Sequence, residues 1–228
     1  MNKRSCIRQR LSKIVIYIAL ISLAISILVP LFWVFTASIK ENSEFYGNPW
    51  SLPKGFHWQN FVDAIQRAKM GEYFLNSVLV TFLALAILIL VSVPAAYVLA
   101  RHDFKGKKLF NILFMGGLFI NVNYIVVPIF LMLLGWNRTA MGLIGRGIFL
   151  DNLFVLAVVY AATNLPFTIY LLSNFFRTLS KSFEEAASID GAGYFRTMIS
   201  VMVPMAKPSI ITVILFNFLA FWNEYILA

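Results

Sequence analysis

Four stretches of this 228-residue chain contain no Asp, Glu, Lys or Arg: Ile14 to Ile39, Tyr73 to Ala100, Leu109 to Asn137 and Asn152 to Phe176. Each is longer than the ~20 residues an α-helix needs to cross the hydrocarbon layer of a bilayer. A fifth stretch, Pro208 to Ala228, is interrupted only by Glu224. A buried core helix of a soluble protein explains one such run but not five, so the chain reads as an integral membrane protein. The spans read as helices, because open strand edges cannot satisfy their backbone in lipid. A membrane barrel would alternate apolar and polar residues over about ten positions, and these runs are continuously apolar. Pro94, Pro128 and Pro166 fall inside spans; within a membrane bundle they predict kinks rather than helix ends.

Charge placement predicts the orientation. With the N-terminus cytoplasmic, the inside segments 1–13, 101–108 and 173–207 carry 13 of the 19 basic residues. The outside segments 37–72 and 136–150, of similar total length, carry the other 6. This is the bias expected of cytoplasmic loops, and it accounts for the net charge of +9 without nucleic acid as a partner. The first apolar run is too long for a secretory signal and reads as an uncleaved span. The single Cys6 excludes an internal disulfide framework. The expected organisation is a cytoplasmic tail (1–13), a first span (14–39), an extracytoplasmic loop (40–72) and a core (73–228). That core holds the remaining four spans and a long inside segment, 173–207. In the outer loop, Pro and Gly residues precede His57-Trp58-Gln59-Asn60-Phe61, which predicts a turn and then a short interfacial helix with Trp50, Phe56 and Trp58 at headgroup depth. The basic cluster from Arg101 to Lys108 reads as a topology anchor with no chemistry assigned.

Two sets of residues stand out as candidate sites. Span three, Leu109 to about Gly135, carries Asn121, Asn123 and Tyr124 near its middle; span four carries Tyr160 and Asn164, and span five Asn217. Polar groups at membrane depth face either a neighbouring helix or a water-filled path. Both readings stay open for these six, with helix packing ranked first for any single Asn. The second set lies in segment 173–207. Ser182-Phe183-Glu184-Glu185 matches a capping box, with Ser182 as N-cap and Glu185 reaching back to it. Ala186 and Ala187 continue the helix, and Asp190-Gly191 ends it, because Gly tolerates the left-handed conformation of a helix stop. A second helix is predicted from Ala192 to Val203, with Phe195, Met198, Ile199 and Met202 at helical spacing. Capping alone does not explain a part-apolar pair of short helices with small side chains on the cytoplasmic side; docking into a partner's groove does.

The stretch Glu185-Ala186-Ala187-Ser188-Ile189-Asp190-Gly191, followed by a hydrophobic segment ending at Pro204, resembles the EAA loop of ABC importer permeases. Ser38-Ile39-Lys40, Asn76-Ser77, the stretch Ala96 to Arg101, Asn164-Leu165-Pro166-Phe167 and Phe221-Trp222-Asn223-Glu224 are similar to the short N-terminus subunit of maltose-type carbohydrate permeases. The resemblance covers most of the chain. It implies an all-α, polytopic transmembrane helix bundle of the ABC importer permease type. It also implies partners: a second, homologous permease subunit, two ABC ATPase subunits on the EAA loops and an extracytoplasmic sugar-binding protein, in a bacterial-type plasma membrane. Residues Glu184, Glu185, Ala186, Ala187, Asp190 and Gly191 would then couple to the ATPase, with Glu185 meeting a basic residue there. No cofactor is expected. The chain has no GxxxxGK[ST] sequence, so ATP hydrolysis is expected in the ATPase subunits and not in this one. Such permeases end with a sixth span; the five runs here leave Ala228 outside, and the sixth span is expected to be missing. An ion-coupled sugar transporter needs titratable groups at membrane depth, whereas all ten acidic residues except Glu224 fall in loops or at span ends. A non-transporting scaffold is the other alternative.

Overall fold

The computed structural model describes residues 3–67 and 69–227, with side chains from Arg10 onward apart from Leu11. Every regular element among them is helical. The chain divides into two compact units, Met1–Tyr73 and Phe74–Ala228.

In the first unit, α1 (Lys3–Ser38) is one long apolar helix, followed by two short ones, α2 (Asn42–Gly47) and α3 (Gln59–Arg67). Helix α3 is the short helix expected after the turn; α2 was not foreseen. The carbonyls left open at the end of α1 are taken up by the segment that returns to them. Asn60 Nδ2 donates to Ser38 O (3.0 Å) and Lys40 O (2.7 Å), and His57 N donates to Ile39 O (3.0 Å). Lys40 is buried, and its Nζ donates to Asn48 O (3.3 Å), Pro49 O (3.0 Å) and Ser51 Oγ (3.3 Å). Trp33 Nε1 also donates to Pro49 O (3.2 Å).

The second unit is built on three helices, α4 (Met70–Arg101), α7 (Leu153–Thr178) and α11 (Lys207–Trp222). Their shared core has two layers. One gathers Val80, Ala84, Leu85 and Leu88 of α4, Ala157, Tyr160 and Ala161 of α7, and Phe221 of α11. The other gathers Val93, Ala96, Tyr97 and Leu99 with Ile169, Leu172, Phe176, Met198, Met202, Ala206 and Val213. Small residues at the contact points (Ala84, Ala96, Ala157, Ala161) let the backbones approach closely, which is what drives helix association in lipid.

Span three departs from its prediction. The apolar run from Leu109 is two helices, α5 (Lys107–Gly117) and α6 (Val122–Ile144), with a break at 118–121. Asn121 is the reason the chain restarts there. Its side chain accepts the N–H of Asn123 (2.9 Å), a local bond that competes with continuing the helix. Helix α6 then runs on past Gly135 and stops at Gly145, whose φ of 73° is the left-handed stop that glycine favours. Helix α5 packs on α7, and the fit needs Gly117: a Cβ there would lie 2.7 Å from Pro166 Cγ.

Among the described residues, four helices are long and apolar enough to cross a membrane: Ser12–Ser38, Met70–Arg101, Val122–Ile144 and Leu153–Thr178. A fifth span arises if Tyr194–Met205 and Lys207–Trp222, bent by 73° at Ala206, count as one. The bundle is therefore all-α and multi-pass.

Candidate functional site

The segment after α7 is a hairpin of short helices. Helix α8 (Ser182–Ile189) is followed by α9 (Tyr194–Thr197), a π-helical turn (Met198–Met202), α10 (Val203–Met205) and then α11. The expected box between Ser182 and Glu185 does not form. Lys181 already has helical backbone angles (φ −65°, ψ −23°), and its carbonyl accepts the N–H of Glu185 (3.1 Å). The helix thus begins one residue early and Ser182 becomes its first residue. Ser180, just before Lys181, accepts the N–H of Ser182 on its Oγ instead (3.3 Å).

The stop at Gly191 is as expected, with φ 74°. Gly191 N donates to Ser188 O (3.1 Å) and Ala192 N to Ala187 O (2.9 Å), the paired bonds of a Schellman motif. The second helix is less regular than its spacing predicts. Met198 and Met202 are buried in the core while Phe195 and Ile199 are exposed, so the predicted stripe splits between two faces. Met198 and Met202, four residues apart in the π-helical turn, share its inner side.

The two acidic residues of α8 have opposite fates. Glu184 turns inward: its Oε1 accepts the Tyr97 hydroxyl (2.8 Å) and lies 3.6 Å from Arg101 Nε. Arg101 also donates through Nη2 to Leu179 O (2.6 Å) and Ser180 O (3.4 Å), closing the end of α7. Tyr97 contacts the rings of Phe176 (5.6 Å), Tyr194 (5.8 Å) and His102 (5.5 Å), and His102 in turn meets Tyr194 (4.8 Å). Glu185 and Ala186 are exposed, Ala187 is buried, Asp190 is exposed, and Ile189 is 86% exposed. Sequence reasoning quoted Tyr97 and Arg101 within the Ala96 to Arg101 resemblance but missed their contact with α8, since a basic residue ending a span is also what a topology anchor looks like.

The six polar candidates do not converge. Asn121, Asn123 and Tyr124 are exposed at the start of α6. Tyr160 is buried and stacks on Phe221 (5.5 Å). Asn164 donates to Tyr160 O (3.1 Å) and Thr163 Oγ1 (3.3 Å) within α7. Asn217 is 1% exposed and ties α11 to α7, its Nδ2 donating to Thr168 Oγ1 (3.1 Å) and to Val213 O (2.8 Å). A groove of about 580 Å³ between α6 and α7, lined by Phe130, Leu133, Phe149, Asn152 and Val155 among others, includes none of the six.

Residues 92–228, which include the α8 hairpin and the end of α4 that holds it, match the family of binding-protein-dependent transport system inner membrane components. The chain belongs to this family. This inner membrane component is 39% identical to the diacetylchitobiose uptake system permease protein of Streptomyces coelicolor, over 91% of its own length and 65% of that protein's. It is 33% identical to a probable ABC transporter permease protein of Bacillus subtilis, over 93% of its own length and 67% of the relative's. It thus spans about two thirds of these curated relatives. Its fold matches a subunit in the crystal structure of a bacterial ABC transporter involved in import of the acidic polysaccharide alginate. The TM-score is 0.80 at 26% identity, covering 99% of this chain and 74% of that one.

Proposed function

We propose that this family member is a permease subunit of an ATP-driven, binding-protein-dependent importer of a sugar or oligosaccharide, and that α8 is its docking surface for a cytoplasmic ATPase. The observation that carries the reading is the division of α8 into two sides. Glu184 and Ala187 face the core, whereas Glu185, Ala186 and Ile189 are presented outward on a helix held by a Schellman stop. An exposed carboxylate beside small and apolar side chains suits a groove rimmed by a basic residue. The saccharide cargo named for the Streptomyces relative and for the alginate transporter supports carbohydrate as the substrate class. A second permease would complete the path and an extracytoplasmic binding protein would deliver the sugar. The excess of basic residues in 1–13, 101–108 and 173–207 supports a cytoplasmic N-terminus. Of the six polar candidates, Asn121, Asn123 and Tyr124 are the exposed ones and so suit hydroxyl contacts, whereas Tyr160 and Asn217 are buried and Asn164 bonds within α7.

Co-expression with the genes adjoining this one, followed by affinity purification through this subunit, tests the docking surface. In Glu185→Ala and Ala186→Trp variants the ATPase is expected to be lost from the complex by about tenfold or more, with membrane insertion unchanged. Retention of the ATPase at the unaltered level in both variants refutes the reading.

A further inference from the structure

We infer that Arg101 is a positioning residue, a strut that fixes α8 to the end of α4 so that the displayed face of α8 and the three-helix core move as one body. The inference rests on α8 being the docking surface. Its basis is the geometry around one guanidinium. Arg101 ends α4, its side chain is 5% exposed, and it reaches residues 78 to 83 positions further along the chain. Its Nη2 donates to the carbonyls of Leu179 and Ser180, just before α8, while its Nε lies 3.6 Å from the carboxylate of Glu184 within α8, an ion pair with no hydrogen bond from that nitrogen. Tyr97, one turn earlier on α4, donates to the same carboxylate oxygen. A planar fork of donors fixes direction as well as distance, which an ammonium on a flexible stem does not. With the guanidinium so nearly covered, solvent and salt screen the pair weakly.

The position of the pair is what gives it a mechanical meaning. Glu184 and Glu185 are neighbours in the chain, so the residue that anchors α8 adjoins the residue displayed for a partner. A load applied at Glu185 therefore acts within one residue of the anchor. Helix α9 is held to the same end of α4 by rings, Tyr194 against Tyr97 and His102. A half-buried ion pair adds little net stability over an apolar replacement. Ring packing holds α9, and α8 packs on the π-helical turn with Ala187 buried; the strut adds a charged tie from α8 to the end of α4.

Spin labels at Ser188→Cys (α8, off the Glu185–Ile189 docking face) and Leu90→Cys (α4), on a Cys6→Ser background, test the strut in the whole complex purified with its neighbouring-gene products. Both label positions are exposed. The unaltered pair is expected to give one narrow distance distribution. Arg101→Gln is expected to widen it about twofold and to change basal ATP hydrolysis by about threefold or more, while the ATPase still co-purifies because the Glu185 face is untouched. Arg101→Lys should recover only part of the narrowing. A purely structural role lowers the yield of complex and leaves both the width and the specific hydrolysis rate as they were. A distribution that stays narrow in Arg101→Gln overturns the inference, as does one that widens with hydrolysis unchanged. Should Arg101→Gln fail to insert, Tyr97→Phe and Glu184→Gln carry the same test with ring packing and shape preserved. Absence of any ATPase from the unaltered complex refutes the docking reading; the label distances then decide the strut alone.

Discussion

Lys40 and Arg101 stand close to the C-terminal ends of two long apolar helices, α1 and α4, and both collect backbone carbonyls. Lys40 closes its own neighbourhood. Its three acceptors lie 8 to 11 residues away, in the turn between α2 and α3, and none is a carboxylate. Arg101 joins parts of the chain some 80 residues apart and adds Glu184 to its carbonyls. The ammonium suits a tight cup of carbonyls; the guanidinium suits acceptors that arrive from two directions. One cation therefore organises a loop, the other an assembly of helices.

The contrast can be broken in order of expected effect. Arg101→Met strands Glu184 next to an apolar core and is expected to cost about 3 kcal/mol, with lower thermal stability of the purified subunit in detergent and loss of exchange protection in α8. An unchanged melting temperature would mean that Arg101 is no more than a topology anchor. Lys40→Met removes three hydrogen bonds for about 1–2 kcal/mol, and the loss of exchange protection should stay within residues 41–58. Spread of that loss into α8 would show that Lys40 is not local. Gly191→Ala places a Cβ at φ 74° and should cost about 1 kcal/mol, fraying the end of α8 while leaving the Arg101 contacts in place.

The smallest effect sharpens the role of Arg101 against its exposed neighbours. The hydrogen bond from Lys107 (2.8 Å), and then its charge, hold the Asp103 carboxyl below the ordinary carboxylate range. Because the folded value is the lower one, this contribution is complete above the unfolded carboxylate pKa and is lost as pH falls through the depressed folded value. Acidification through that range should fray the start of α5, read by amide exchange at Lys107 to Phe110. The bonds from Arg101 to the carbonyls of Leu179 and Ser180 do not titrate, so amide exchange at the end of α7 should be unchanged over the same range.

Much of the fold was legible because it depends on local composition. A run without charge must be a helix in lipid, whatever it packs against, and the runs at 14–39, 73–100 and 152–176 agree with helices of the structure within a few residues, the first also extending into the tail. Gly191 was legible because only glycine takes its backbone angles without strain. Span three was not. Apolar content cannot distinguish one helix from two, and the restart after the break is marked by a local bond, the Asn121 side chain accepting the N–H of Asn123. The capping of α8 departs from the pattern for a similar reason: only Ser182 has a Glu three residues on, but the helical backbone angles of Lys181 draw Ser182 into the helix and leave Ser180 to accept its N–H.

The candidate site divides in the same way. That residues 182–191 form a short helix ending at a glycine was determined by the sequence, since capping and glycine preferences act within one turn. Which of Glu184 and Glu185 is displayed could not be. It depends on where α4 ends and on Tyr97 and Arg101 standing there, contacts made across 83 to 87 residues of chain. Whether Asn217 lined a path or tied two helices likewise waited on Thr168 lying opposite it. Bonds within a turn are encoded by neighbouring residues. The choice of face is made by long-range packing, where one buried cation in the right place outweighs local preference.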